Sequence, residues 1–184
     1  MNSEQVLAAL KYTPKEAYDI ACEKGERMPD LESDIATDPY LAYNYARDVI
    51  KGRWPEAEAV ISTTDPEWAY NYAINIIKGR WPEAEAVIAT DPQWAYNYAI
   101  NIIKGRFPEA ETVIATNPEW AYWYAKDVIK GRWPELESVI ATNPEWAYHY
   151  AKNFIKGRCP EVEKVIATDQ KYKKWYEEDF NVKL

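Results

Sequence analysis

Apolar and polar positions alternate along this chain in a block that repeats. Residues 65–88 read Asp-Pro-Glu-Trp-Ala-Tyr-Asn-Tyr-Ala-Ile-Asn-Ile-Ile-Lys-Gly-Arg-Trp-Pro-Glu-Ala-Glu-Ala-Val-Ile. At about 100° per residue, Trp68, Ala69, Tyr70, Tyr72, Ala73, Ile76 and Ile77 cover roughly 200° of a helical wheel. Glu67, Asn71, Ile74, Asn75 and Lys78 fill the narrower stripe that remains. A helix apolar over that much of its girth must be sandwiched between neighbours, and the stripe is what a partner would meet. A shorter helix follows, with Ala84, Val87 and Ile88 inward and Glu83 and Glu85 outward or at the turn.

Starts and stops bracket both helices. In the next copy, Asp91 is a good N-cap and Pro92 suits the first helical position, where its missing N–H costs nothing. The helix is expected to run to Lys104, with Gly105 as the left-handed residue after its end. Pro108 opens the second helix, Glu109 and Glu111 favour its positive end, and Ile114 closes it. The chain holds 12 prolines and 6 glycines, and the glycines at 25, 52, 79, 105, 131 and 157 keep step with the block. A period of this length means a repeat array.

The fold expected is all-α, an α-solenoid of six short helix-turn-helix repeats, roughly 60 Å long at about 10 Å per repeat. Residues 37–167 carry five tandem copies as a single solenoid domain. Residues 1–36 form an N-terminal cap: a helix over 3–11, then a degenerate repeat whose Thr13-Pro14 and Met28-Pro29 mark the two starts. Residues 168–184 form a C-terminal capping helix, where Lys173 and Lys174 replace an Ala-Tyr core pair. One extra residue within Ser62-Thr63-Thr64 should lengthen the turn between two copies.

Composition narrows the function. Apolar residues make up 47% of the chain, with 9 Trp and 15 Tyr, which argues for a packed protein. No apolar run reaches the roughly 18 residues a membrane span needs, and the opening residues lack a secretory leader pattern. Cys22 and Cys159 lie five repeats apart, so a disulfide is not expected and the compartment reads as a reducing cytoplasm. The net charge of −8 argues against direct nucleic-acid binding and leaves room for a basic partner. A single histidine, His149, excludes multi-histidine metal sites. Nucleotide-binding glycine loops and nucleophile elbows are absent from the sequence, so no cofactor is expected.

Two features recur too regularly to be catalytic. Lys-Gly-Arg appears five times, and two glutamates follow each copy, for example Glu109 and Glu111 after Arg106. Catalysis needs one singular, perturbed constellation. Five identical copies instead suggest arginine–glutamate pairing and lysine at helix C-termini. The Tyr–Tyr pairs, such as Tyr96 and Tyr98, read as packing, and Cys159 occupies the place of Trp54, Trp81, Phe107 and Trp133. The chain is therefore not expected to be an enzyme.

Specificity should lie where copies differ on the stripe. One stripe position reads Asn44, Asn71, Asn97, Trp123, His149, and another reads Arg47, Ile74, Ile100, Lys126, Lys152. Ile74, Ile100 and Trp123 would form an apolar patch bordered by Lys126, His149 and Lys152, with Asn71 and Asn97 alongside. That is the anatomy of a protein-binding hot spot.

The phrase at 65–85, Asp-Pro-Glu-Trp-Ala-Tyr-Asn-Tyr-Ala-Ile-Asn-Ile-Ile-Lys-Gly-Arg-Trp-Pro-Glu-Ala-Glu, resembles a tandem repeat of bacteriophage and environmental proteins without assigned function. The resemblance spans 37–167 and implies a phage or bacterial cytoplasm as the setting. The expected function is non-catalytic binding of another protein, as an inhibitor or adaptor that occupies a host protein, such as a defence protein. The alternatives are an acidic mimic of nucleic acid and a small-molecule or nucleotide sponge. Self-association through the same patch is a further outcome.

Overall fold

A computed structural model describes residues 12–184, and the helix expected over 3–11 lies outside the described residues. Among the described residues every regular element is helical. The chain divides into two compact units, Met1–Ile88 and Ala89–Leu184.

Unit 1 contains α1 (Pro14–Lys24), α2 (Pro29–Ile35), α3 (Pro39–Tyr45), α4 (Pro55–Thr64), α5 (Pro66–Tyr72) and α6 (Pro82–Ile88). Unit 2 contains α7 (Pro92–Tyr98), α8 (Pro108–Ile114), α9 (Pro118–Tyr124), α10 (Glu137–Ile140), α11 (Pro144–Tyr150), α12 (Pro160–Ile166) and α13 (Gln170–Phe180). Within each unit, helices pack in chain order: α1, α3 and α5 in the first, and α7, α9, α11 and α13 in the second. The short helices α4 and α6, and α10 and α12, stack beside them. This is the packing pattern of an α-solenoid repeat.

The caps explain the starts. Asp38, Asp65, Asp91, Asn117, Asn143 and Asp169 each accept a hydrogen bond from backbone N–H groups of the first turn. All but the last precede a proline. Ala69, Ala73, Ala95, Ala99, Ala121, Ala125, Ala147 and Ala151 are fully buried, and their small side chains let neighbouring helices approach closely.

The stops differ from the sequence expectation. α3, α5, α7, α9 and α11 do not continue as plain α-helix. Each widens into a five-residue π turn, Ala46–Ile50, Ala73–Ile77, Ala99–Ile103, Ala125–Ile129 and Ala151–Ile155. The lysine after each turn, not the glycine, takes the left-handed conformation. Lys51, Lys78, Lys104, Lys130 and Lys156 have φ between 55° and 60°. Among the glycines only Gly25 is left-handed, at φ 65°. The alanine that opens each turn accepts from the lysine N–H five residues on, as in the 2.7 Å bond from Lys156 N to Ala151 O.

A side chain in the left-handed region costs about 1–2 kcal/mol relative to the right-handed one. At Gly79 an added Cβ would meet nothing within 4 Å, and its backbone lies outside the left-handed region. Lys78→Gly is therefore expected to stabilise the protein by about 1 kcal/mol. Gly79→Ala should change stability by no more than about 0.5 kcal/mol. Urea unfolding of the two variants checks this, and the opposite order would place the strain on the glycine.

Two smaller departures are local. The extra residue near Ser62 does not lengthen a turn but is absorbed into α4, which runs ten residues where α6, α8 and α12 run seven. Thr63 and Thr64 bond back to the carbonyls of Ala59 and Val60 there, both at 2.7 Å. Before α10, the segment Pro134–Leu136 is a 3₁₀ turn. Leu136, fully buried, stands where Ala57, Ala84 and Ala110 stand in other copies.

Candidate interaction surface

The repeated charges form latches. In each repeat a bidentate pair joins the arginine after the glycine to the second glutamate, as in Arg106 Nε to Glu111 Oε1 at 2.7 Å. Arg53–Glu58, Arg80–Glu85, Arg132–Glu137 and Arg158–Glu163 repeat it, and Arg27–Glu32 extends it into the degenerate repeat. The wheel sets these glutamates outward or at the turn, and the structure holds them at the turn against the arginine. Their side chains are only 11–14% exposed, and at Glu32, Glu58, Glu111 and Glu163 a tyrosine from the next repeat covers the carboxylate. Tyr124 Oη donates to Glu111 Oε1 (3.0 Å) and accepts from the Phe107 N–H (2.7 Å). Tyr45, Tyr72 and Tyr176 make the same pair of bonds in their repeats. The arginine and then the tyrosine hold the carboxyls of Glu58, Glu111 and Glu163 below the usual value, against their burial.

The other tyrosine of each pair makes a second latch. Tyr43 Oη accepts from Asn75 Nδ2 (2.9 Å) and Tyr122 Oη from Asn153 Nδ2 (2.9 Å). Tyr96 Oη donates to Asp127 (2.8 Å) and Tyr148 Oη to Asp179 (2.6 Å). Asn75, assigned to the free stripe by the wheel, is thus committed to the preceding repeat. Both tyrosines of a pair serve inter-repeat packing. Cys159 is buried, donates its backbone N–H to Tyr176, and burial pushes its thiol up to about 11. That suits a packing residue and not a nucleophile.

The remaining stripe positions are unequal between the units. In unit 1, Asn71 and Ile74 are half-buried. In unit 2, Asn97, Ile100, Trp123 and His149 are half-buried, while Lys126 and Lys152 are exposed. The expected patch thus divides between the units, and its apolar members are less open than the wheel implies.

Within unit 2, however, the stripe residues Trp123, His149 and Trp175 are joined into a ridge of rings by Trp146 and the buried Tyr172 of the apolar arc. Trp123 meets Trp146 at 6.0 Å between centroids, and Trp146 meets His149 at 6.1 Å. His149 meets Tyr172 at 6.3 Å, and Tyr172 meets Trp175 at 5.6 Å. Trp175, at 38% exposure, is one of two exposed large hydrophobic side chains among the described residues, and it went unrecognised in the sequence. The signal was present: Trp175 stands six residues after its N-cap Asp169, as His149 does after Asn143 and Trp123 after Asn117.

Lysines border the ridge. Lys126 Nζ lies 4.4 Å over the Trp123 ring, and Lys171 Nζ lies 4.7 Å over that of Trp175. Neither makes an ion pair among the described residues. Lys152 is structural, bridging Asp179 (2.8 Å) and Tyr148 Oη (3.0 Å). A groove of about 480 Å³ opens beside them, lined by Tyr148, His149, Lys152, Asn153, Trp175, Glu178 and Asp179. Burial, then Lys152 and Lys171, lower the His149 pKa against an opposing Glu145, so its ring is neutral at pH 7.

The charge is also uneven. Residues 1–88 hold 9 basic against 16 acidic residues, and 89–184 hold 13 against 14. No helix among the described residues is long and apolar enough to cross a membrane. No group of three or more His, Cys, Asp or Glu side chains among them could hold a metal ion. No family model, curated protein or solved structure matches the chain.

Proposed function

We propose that this chain is a non-catalytic protein-interaction module that engages its partner through the ring ridge of unit 2. The observation that carries the reading is the run Trp123–Trp146–His149–Tyr172–Trp175 with Lys126 and Lys171 at its border. Tryptophan, tyrosine and a cationic rim are the composition of interface hot spots. The second glutamate of each recurring pair is committed to a latch, and the ridge is the surface that differs from copy to copy. The phrase shared with phage repeats suggests that the partner is a host protein in the bacterial cytoplasm, occluded by an inhibitor or adaptor. Ile100 and Asn97 hold equivalent stripe positions within unit 2 and are secondary contacts in this reading.

The test is affinity capture from a bacterial host lysate followed by reconstitution with the purified partner. Trp123→Ala combined with Trp175→Ala should keep the helical circular dichroism and melting midpoint close to those of the parent. Each truncation at an interface centre is worth about 2 kcal/mol or more, so the double variant should weaken binding about a thousandfold. Undiminished affinity in the double variant would move the interface elsewhere.

A second reading rests on unit 1, whose 16 acidic residues against 9 basic ones would suit an acidic mimic of nucleic acid. It requires that DNA or RNA compete with the chain for the captured partner and that added salt release it.

A further inference from the structure

We infer that unit 2 recognises an acidic, apolar-bearing segment of its partner at the edge formed by its left-handed lysines. An apolar side chain would sit on Ile100 and Val128, and carboxylates would pair with Lys104 and Lys130. This rests on the protein-binding reading and names the chemistry of what is bound.

A cavity of about 230 Å³ lies in unit 2, lined by Ile100, Lys104, Gly105, Asp127, Val128 and Lys130. Its floor includes Ile100, a stripe position, so the cavity adjoins the ridge side of the repeat. Lys104 and Lys130 have φ of 58° and 59° and are exposed. Neither ammonium makes an ion pair among the described residues, whereas Arg106 and Arg132, two residues further on, are bound to Glu111 and Glu137. Asp127, the acidic group of the cavity, is committed to the Tyr96 hydroxyl at 2.8 Å. Two lysines therefore line the cavity beside one occupied carboxylate, with Ile100 and Val128 as its apolar members.

The backbone supplies an independent reason. Lysine holds a left-handed position that glycine would occupy without strain, while the glycine beside it is not left-handed. Strain repeated in five copies points to a use for the side chain. The helix dipole alone does not require it, because a lysine one residue earlier would meet the same carbonyls from right-handed backbone. The Ile100 and Val128 side chains in a mixed lining favour a polypeptide over a polyphosphate, and the net charge of −8 opposes a nucleic acid.

The probe is a fluorescein-labelled peptide of alternating Glu and Leu, read by polarisation at low and high salt. A Lys–Leu peptide and an oligothymidine of the same length serve as comparisons. The Glu–Leu peptide should bind the full chain, weaken with salt, and bind Lys104→Gly/Lys130→Gly about tenfold more weakly. That variant relieves strain, so a melting midpoint at or above the parent's separates lost recognition from lost folding. Lys104→Gln/Lys130→Gln should lose the same affinity while keeping side chains of similar length. The inference is overturned if the Glu–Leu peptide does not bind, if it binds the lysine variants equally, or if either comparison binds more tightly. Any of these results would leave the Trp123 and Trp175 capture test standing, since that test does not involve Lys104 or Lys130.

Discussion

Replacing Tyr124 by alanine is expected to destabilise unit 2 by about 3–5 kcal/mol. Replacing it by phenylalanine should cost about 2 kcal/mol. The ring is fully buried between repeats, against Trp133 at 5.1 Å. Its hydroxyl joins the Phe107 N–H to Glu111. Phe107 is itself fully buried, so without the hydroxyl its N–H has no solvent to turn to. Alanine removes the ring as well and leaves a cavity in a close-packed layer. Tyr96→Phe is the comparison, because Tyr96 is half-buried and bonds only Asp127. It should cost about 1 kcal/mol. Urea midpoints at constant slope would give the three values, and a Tyr124→Phe cost no larger than that of Tyr96→Phe would show that the latch does not hold the repeats together.

The second large effect is acid sensitivity. Glu58, Glu111 and Glu163 have carboxyl pKa values lowered from 4.5, chiefly by hydrogen bonds from Arg53, Arg106 and Arg158. A carboxyl with a depressed folded value contributes stability that is present above its unfolded value and lost as pH falls through the folded one. The loss therefore begins near pH 4.5 and deepens below it, in several repeats at once. Each latch that loses about 1 kcal/mol should lower the melting midpoint by about 2–4 °C. His149 acts in the same direction from a higher start, since its lowered pKa makes protonation below about 6.5 unfavourable to the fold. At the alkaline limit the sign reverses in origin. Tyr150 and Tyr176 are pushed up to about 12, chiefly by burial, so their contribution is whole below pH 10 and lost as pH rises towards 12. Melting curves across the acid range would check the first limb, and a midpoint that held steady below pH 4.5 would contradict it. Glu111→Gln should remove part of the acid dependence at a fixed cost in stability at neutral pH.

Starts were legible in the sequence because they depend on one or two residues in fixed positions. Asp91-Pro92 and Pro108 carry their own geometry, and the helices begin there. Stops were not, because the choice between Lys104 and Gly105 as the left-handed residue depends on the preceding turn. A wheel at constant pitch cannot show that Ala99–Ile103 widens to a π turn. That change of pitch also shifts the side chains that follow, which is why Asn75 is a latch residue and not a free one. Arginine–glutamate pairing was legible from spacing, but the tyrosine hydroxyl that completes each latch comes from the next repeat. Of the candidate surface, Trp123, Lys126 and His149 were visible as breaks in the repeat. Trp175 was hidden because α13 lacks the proline and the Ala-Tyr pair that mark the other copies, although its spacing from Asp169 is the same.

The latches have a consequence for how such a chain can change length over time. Each joins one repeat to the next, and its two halves sit on opposite sides of every copy. Tyr124 looks back to Glu111 just as Tyr150 looks back to Trp133. Removing or duplicating a whole copy by unequal recombination would bring a matching half against each newly exposed one. A single inserted residue offends less than its position suggests, as α4 shows by absorbing one. The helix α13 makes the same pair of bonds through Tyr176 and Asp179 without the proline and Ala-Tyr pair of the other copies. Copy number is thus free to drift elsewhere, while the run of rings needs α9, α11 and α13 to stay in succession.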